Sequence, residues 1–303
     1  MEIRQLRHLV AVVETGSLGR AAQALNISEP ALSKSVRGLE AQLGVRLLDR
    51  SPRGMLPTVF GTALHRHARA LLAGVASAAG ELQELRGLAR GVVRVGAQPS
   101  LAGGLLPNAI AELEETRPGL KVVAHVATTD LLVRLREGNL DFLLVTLTPE
   151  LADPDFEEEF LLEDEVVVVA GPGSALAAAG VPSLDALLAA RWVLPRSPDP
   201  LRLRFDAAFL RHGVHPPPIR IETSSETLIR ACVERHSHAS LLPRSLVEGA
   251  LAAGLVKEVP AAEFALPRRV GIVRRRAASL SPSALALLSA LRAEARRLSA
   301  RRG

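Results

Sequence analysis

Three groupings of residues in this sequence have types and spacings that bear on chemistry. Pro30, Ser33, Lys34, Arg37 and Ala41 fall on one side of a helix that turns by about 100° per residue. That face is small and basic. Small side chains let a helix enter the DNA major groove, where cationic side chains reach base edges and phosphates. An ordinary three-helix core with a solvated basic face has the same pattern. The second grouping is a series of hydroxyl residues after strand-like stretches: Ser100, Thr128 and Thr129, Thr146 and Thr148, Ser197 between Arg196 and Arg202, and Thr223 to Ser225. In open α/β sheets ligands bind beyond the carboxyl ends of the strands, and hydroxyls with one or two guanidiniums there suit a small organic anion. Each Ser or Thr alone is also an ordinary helix cap. The third is the histidine pairs His65/His67 and His236/His238, which have no Cys and no carboxylate at ligand spacing. No metal site is expected.

The elements that must position these residues follow from periodicity. Ile3, Leu6, Leu9, Val10 and Val13 predict a first helix, and Gly16-Ser17 ends it and offers a cap for a second over Leu18 to Leu25. A third helix, capped by Ser28 with Pro30 in its first turn, runs to Leu43 before Gly44, with the apolar stripe Leu32, Val36, Leu39 and Leu43. Two short helices joined by a tight turn describe a helix-turn-helix. Arg50-Ser51-Pro52-Arg53-Gly54 reads as a basic turn between two short extended pieces, either a wing against DNA or an exposed loop. Leu64, Ala68, Leu71, Val75, Ala78, Leu82, Leu85 and Ala89 alternate by four and three, a heptad seam that favours pairing with another helix. Packing of that helix on its own domain is the alternative. From Gly91 strands and helices alternate. The expected strands are Val92 to Ala97, Lys121 to Val126, Asp141 to Val145, Val166 to Ala170, Trp192 to Pro195, Ile219 to Glu222, Ala239 to Leu242 and Val270 to Arg274. This is an α/β body. The acidic stretch Glu150 to Glu165 reads as a solvated loop, with the arginine-rich residues 268 to 302 placed near it.

Composition narrows the function classes. At 303 residues with 48% hydrophobic and 23% charged residues, the chain has room for two or three cored domains and is neither disordered nor fibrous. The net charge is +5, yet residues 1 to 90 hold 12 Lys/Arg against 7 Asp/Glu while the remainder balances at 25 against 25. The cationic excess therefore sits in the N-terminal third and points to an anionic partner, nucleic acid first. The lone Cys232 excludes an intramolecular disulfide and reads as a small core residue. Charges spread through Met1 to His8 interrupt any signal peptide, and no apolar run reaches membrane-spanning length, so a cytoplasmic protein without membrane partners is expected. GxSxG, GxxxxGK[ST] and GxGxxG are absent, which removes the motif basis for a serine hydrolase, a P-loop NTPase or a dinucleotide enzyme. No catalytic residues and no cofactor are expected.

Glu14-Thr15-Gly16-Ser17-Leu18, Ala21-Ala22, Ser28-Glu29-Pro30-Ala31-Leu32-Ser33, Leu39-Glu40, Leu43-Gly44 and Arg50 resemble the N-terminal signature of LysR-type transcriptional regulators. Arg94-Val95-Gly96, Leu105-Leu106-Pro107, Leu140-Asp141, Trp192 to Pro195 and Leu241-Leu242-Pro243 extend the resemblance along the chain. Pro57-Thr58-Val59-Phe60-Gly61 looks like the branch related to galactose-binding-protein and aromatic-sulfonate regulators. The resemblance implies a winged helix-turn-helix over residues 1–60, a linker and dimerisation helix over 61–89, and an effector domain over 90–303 like type 2 periplasmic binding proteins. Its subdomain I would comprise 90–163 and 268–303, and its subdomain II 164–267. It implies homodimers and homotetramers that bind double-stranded DNA at a promoter dyad and a small-molecule inducer in the cleft. The family's DNA-reading positions fall on Glu29, Pro30, Ser33, Lys34, Arg37 and Arg53, and its inducer-contacting positions on Ser100, Leu101, Thr128, Thr146, Arg196, Ser197 and Arg202. Glu29 stands where Gln is usual. A carboxylate accepts from cytosine N4 but cannot donate as an amide can. His236-Ser237-His238 replaces a glycine-rich stretch and makes that wall bulkier or pH-responsive.

Overall fold

The computed structural model describes residues 1–52, 54–86, 91–178, 180–276 and 278–300. The N-terminal unit contains α1 (Ile3–Thr15), α2 (Leu18–Ala24), α3 (Glu29–Leu43), β1 (Leu48–Ser51), β2 (Gly54–Pro57) and α4 (Val59–Leu85). Local chemistry sets these boundaries. Gly16 and Gly44 close α1 and α3 in the left-handed conformation at φ 65° and 69°, and the Ser17 and Ser28 side chains accept from the N–H groups of Arg20 and Ala31. Leu9, Val12, Ala21, Leu32, Val36 and Leu39 form the core between the three helices, while Leu43, the last member of the expected stripe, is exposed because the helix end runs past that core. The Glu40 carboxylate accepts from the N–H groups of Leu47 and Leu48 at 2.8 and 3.2 Å. That ties α3 to the β1/β2 hairpin.

Along α4 the heptad seam splits. Ala68 is fully buried against the N-terminal unit, whereas Leu71, Val75 and Leu82 are exposed at 54%, 48% and 62%. In a single chain these three described seam positions lie open. Ala89 lies outside the described residues.

The body is built from β3 (Val92–Ala97), α5 (Pro99–Gly103), α6 (Leu105–Thr116), β4 (Lys121–Val126), α7 (Leu131–Arg136), β5 (Phe142–Thr146) and β6 (Phe156–Ala170). It continues with α8 (Ala175–Ala178), α9 (Leu184–Ala189), β7 (Arg191–Leu194), α10 (Pro200–Arg211), β8 (Ile221–Glu222), α11 (Glu226–Arg235), β9 (His238–Pro243), α12 (Arg244–Ala252), β10 (Lys257–Val259), β11 (Leu266–Arg275) and α13 (Pro282–Ala300). The strand order is β4-β3-β5-β11-β6-β9-β7-β8, with β10 beside β6. Parallel β4, β3 and β5 form one half and parallel β9, β7 and β8 the other. The antiparallel pair β6/β11 runs through both, pairing β5 at Val270–Arg274 and β9 at Val166–Ala170. Each half has its own core on both sheet faces, with α6 and α13 packed in the first and Trp192, Phe205, Phe209 and Phe264 in the second. The whole is a winged helix-turn-helix, a long helix and a two-subdomain α/β body. Among the described residues no helix is long and apolar enough to cross a membrane.

The acidic stretch corrects one expectation. Residues 156–165 are not a loop but the first part of β6. Phe156 and Leu162 point into the core, and the carboxylates meet arginines from the distant end of the chain: Arg274 to Glu157 at 2.8 Å, Arg292 to Glu159 at 2.6 Å and Arg268 to Asp164 at 2.9 Å. Neutralisation across the β6/β11 pair removes the repulsion that a carboxylate run would otherwise bring to a strand. The strand β10 is also not among the strands expected from the sequence.

The Arg292 fork holds the Glu159 carboxyl below its usual range, opposed by partial burial and helped by the charges of Arg292 and Arg274. A depressed carboxylate stabilises the fold above the ordinary carboxyl range, and that contribution is lost as pH falls through the depressed value. Arg292→Met is therefore expected to melt below the parent at pH 7, with the gap closing as the pH drops below about 4. Melting curves across pH check this, and a gap of equal size at pH 7 and pH 2.5 refutes it.

Candidate functional site

Two surfaces collect the residues singled out by the sequence. On the N-terminal unit, Glu29, Pro30, Lys34 and Arg37 are exposed and Ser33 is half-buried along one face of α3. The apolar positions Leu32, Val36 and Leu39 are turned inward, so burial of the stripe is what directs the small and basic face outward. Arg37 Nε lies 3.4 Å from the Ser33 carbonyl, lying back along its own helix. The Glu29 carboxylate sits against Gly19 of α2, 3.2 Å from where a Cβ would stand. A groove of about 510 Å³ runs between α3 and the hairpin, lined by Glu29, Ser33, Arg37, Arg46 and Arg50 among others. Arg53 lies outside the described residues. Arg46 was missed because it stands outside both the helix face and the basic turn.

In the body, parallel pairing brings the carboxyl ends of the first-half strands to one edge. Ala97 pairs with Val126 of β4 and Leu144 of β5, which puts Ser100, Thr128 and Thr146 at the same end. The Thr146 N–H donates to Gln98 Oε1 at 2.9 Å. In the second half Leu194 pairs with Glu222, which puts Arg196, Ser197 and Thr223 at a shared end with Arg244 and Ser245 after β9. Both ends meet where β6 and β11 cross between halves, at the register pair Asp164 and Arg268. There the buried Asp164 carboxylate accepts from Arg268 Nε and Nη2 at 3.0 and 2.9 Å and from the Ser245 N–H and hydroxyl at 3.2 and 2.7 Å. Arg268 Nη1 donates to Ser100 Oγ at 3.1 Å. One buried network thus joins both subdomains.

The predicted residues divide at this cleft. Thr128 and Ser197 are exposed, Thr146 is half-buried, and Ser100 is buried on the network. Arg196 is 82% exposed and stands 3.9 Å from Glu222. Arg202 is committed elsewhere: its guanidinium bonds Asp206 at 3.0 Å and Glu222 at 2.5 Å. Leu101 is fully buried and its N–H donates to the Gln98 carbonyl, so it anchors α5 and presents no side chain to the cleft. Sequence reasoning missed Asp164, Ser245, Arg268 and Glu226. The first and third sit at the two chain crossings, 164 and 267, that the resemblance placed. Burial pushes the Glu226 carboxyl up, opposed by the charges of Arg268 and Arg230, and places a protonatable group beside the network. Among the described residues no group of three or more His, Cys, Asp or Glu could hold a metal.

Comparison with known proteins covers both units of the chain. Residues 3–62 match the family model "Bacterial regulatory helix-turn-helix protein, lysR family" and residues 86–296 match "LysR substrate binding domain". The HTH-type transcriptional regulator GbpR of Azospirillum brasilense is 33% identical over 97% of this chain and 86% of its own length. The SDS degradation transcriptional activation protein of a Pseudomonas species is 32% identical over 94% of each. Full-length CbnR in complex with its target DNA shares the fold, with a TM-score of 0.64 at 21% identity over 97% of this chain and all of that one. Matched by the family's models over both units and by full-length relatives above 30% identity, the chain belongs to the LysR family of DNA-binding transcription regulators, which are not enzymes.

Proposed function

We propose that this regulator reads a promoter dyad through Glu29, Pro30, Ser33, Lys34 and Arg37 of α3, with Arg53 on the DNA backbone, and that a small organic anion in the cleft governs it. The observation that carries the DNA reading is the outward face of α3, small at its N-terminal end and cationic at Lys34 and Arg37. The anionic effector is supported by the exposed Arg196 guanidinium, which shares the strand ends of the second half with Ser197, while Ser100, Thr128 and Thr146 stand at the strand ends of the first half. Arg202 acts here by holding Glu222 in place, and Leu101 by fixing α5. The corresponding domains are 1–60, 61–89 and 90–303, the last divided into 90–163 with 268–303 and 164–267. The open seam at Leu71, Val75 and Leu82 supports a homodimer through α4, and a homotetramer follows if the α/β bodies pair as well. A chain that binds promoter DNA works in the cytoplasm.

Three outcomes are expected. Selection of bound genomic fragments by the purified protein should enrich a short interrupted dyad, and Arg37→Ala should weaken that site by about 1–3 kcal/mol while sparing non-specific DNA. Equal loss on specific and random duplexes, read by anisotropy, refutes the base-reading role. Leu71→Asp should lower the mass measured by light scattering, and an unchanged mass rejects the seam. An organic anion at about a hundred times its Kd should add about 2.7 kcal/mol of stability, and a carboxylate library that shifts no melting temperature removes the anionic effector.

A further inference from the structure

Arg69, in the first half of α4, is the point at which three units of the chain touch. Its guanidinium pairs with Glu14 at the end of α1, donates from Nη2 to Asn139 Oδ1 at 2.5 Å and stands 3.7 Å from Glu137. Asn139 Nδ2 in turn donates to Glu137 Oε2 at 3.1 Å. Glu14 belongs to the helix-turn-helix, Arg69 to the linker, and Glu137 and Asn139 to the loop after α7. Beside them Gly138, at φ 78°, brings its backbone so close to α4 that a Cβ would lie 2.2 Å from the Ala73 methyl. A cavity of about 530 Å³ adjoins the joint, lined by Glu14, Arg69, Ala73, Glu137, Asn139 and Arg275 among others. The joint is therefore polar and has room on one side, unlike a packed core that resists displacement. His65, one turn earlier, has a buried Nε2 without a hydrogen-bond partner. Burial keeps it below the usual histidine range, and nearby Glu14, Arg69 and Glu137 act in opposite senses, so Arg69 is the cation that holds both carboxylates.

The position of α7 gives this joint a meaning. Its six residues span about 9 Å, with Thr128, Thr129 and Asp130 leading into one end and Glu137, Gly138 and Asn139 leaving the other. Leu131 and Leu135 are buried against β5 and β11 partners Leu143, Val145 and Val273. Arg134 holds Asp130 at 2.6 Å, and Arg275 Nη1 caps the Leu135 carbonyl at 2.9 Å. A short, pinned helix moves as a unit. One of its ends is the cleft loop and the other grips the linker.

We propose that Arg69 is a positioning residue for DNA recognition, clamping the helix-turn-helix through Glu14 to α7 through Glu137 and Asn139, so that a displacement of the Thr128 loop alters the set of the reading heads. The α7 part of this proposal rests on the reading of Thr128 as part of the effector cleft. A dyad needs two heads at one separation, so the clamp shows itself as selectivity for half-site spacing.

The test uses full-length protein and the selected dyad with its spacing altered by one base pair either way, fluorophores on the DNA ends reporting bend. Parent protein should prefer one spacing by about tenfold, Arg69→Met by about twofold, and Arg69→Lys should fall between, a coupling of the usual allosteric size. Thr128→Trp, which fills the cleft loop without a ligand, should change the bend in the parent and leave it unchanged in Arg69→Met. Circular dichroism and light scattering establish that each variant is folded and of parental mass. Arg69→Met with parental spacing selectivity overturns the clamp. A Thr128→Trp response undiminished in Arg69→Met overturns the coupling and leaves the cleft reading standing. Silence of Thr128→Trp in the parent overturns the α7 link together with the place of Thr128 in the cleft, while loss of spacing selectivity in Arg69→Met would still support the joint itself.

Discussion

The buried ion pair between Asp164 and Arg268 is the constraint on which the body depends. Its carboxylate is fully buried and its guanidinium 12% exposed, and a charge taken out of water to that degree is tolerated when its lone pairs are filled. Four donors fill them. The place is as informative as the bond, because β6 and β11 pass between the two halves at this register pair. Ser245 reaches it from one half and Ser100, through Arg268, from the other. Loss of either charged partner leaves an uncompensated ion in the interior, which costs about 3–5 kcal/mol. One set of bonds thus joins the two halves where the chain crosses between them.

Around that centre the molecule divides its labour by charge. The basic excess lies in the N-terminal unit, where α3 turns its polar face outward because Leu32, Val36 and Leu39 are drawn in. In the body many arginines meet carboxylates: Arg202 with Asp206 and Glu222, Arg244 with Glu258 and Glu165, Arg292 with Glu159. Such pairing leaves a near-neutral surface with little affinity for phosphate. DNA is met by the heads, and the body remains available to the cleft.

Much of this was legible in the sequence where the signal is local. The caps Ser17 and Ser28, the stops Gly16 and Gly44, and the bounds of β3 and β4 follow from neighbours within a few residues. Position on a helix face gave the exposed residues of α3 for the same reason. The first part of β6 escaped because its carboxylates are neutralised by arginines more than a hundred residues away, and no window around Glu157 contains them. Asp164 and Ser245 escaped likewise, since nothing local distinguishes a carboxylate bound for the interior from one bound for water. Arg202 shows the converse. Its place after a strand end marks it for the cleft, yet Asp206, one helical turn on, claims it first. The network around Arg69 joins residues from positions 14, 69, 137 and 139, and only the fold brings them together.

The return of the chain through β11 has a bearing on how the protein is made. The first half of the body holds strands from near residue 92 and the helix that ends at Ala300, and Leu287, Leu288, Leu291 and Leu298 fill the core beneath β3 and α6. A ribosome delivers that helix after every other element of the body, whereas α1 to α4 emerge well before it, and domains fold as they emerge. The N-terminal unit can therefore fold while the first half of the body still lacks the helix that fills its core. A chain cut between β11 and α13 would keep a complete N-terminal unit beside a body whose first half lacks the helix that fills its core.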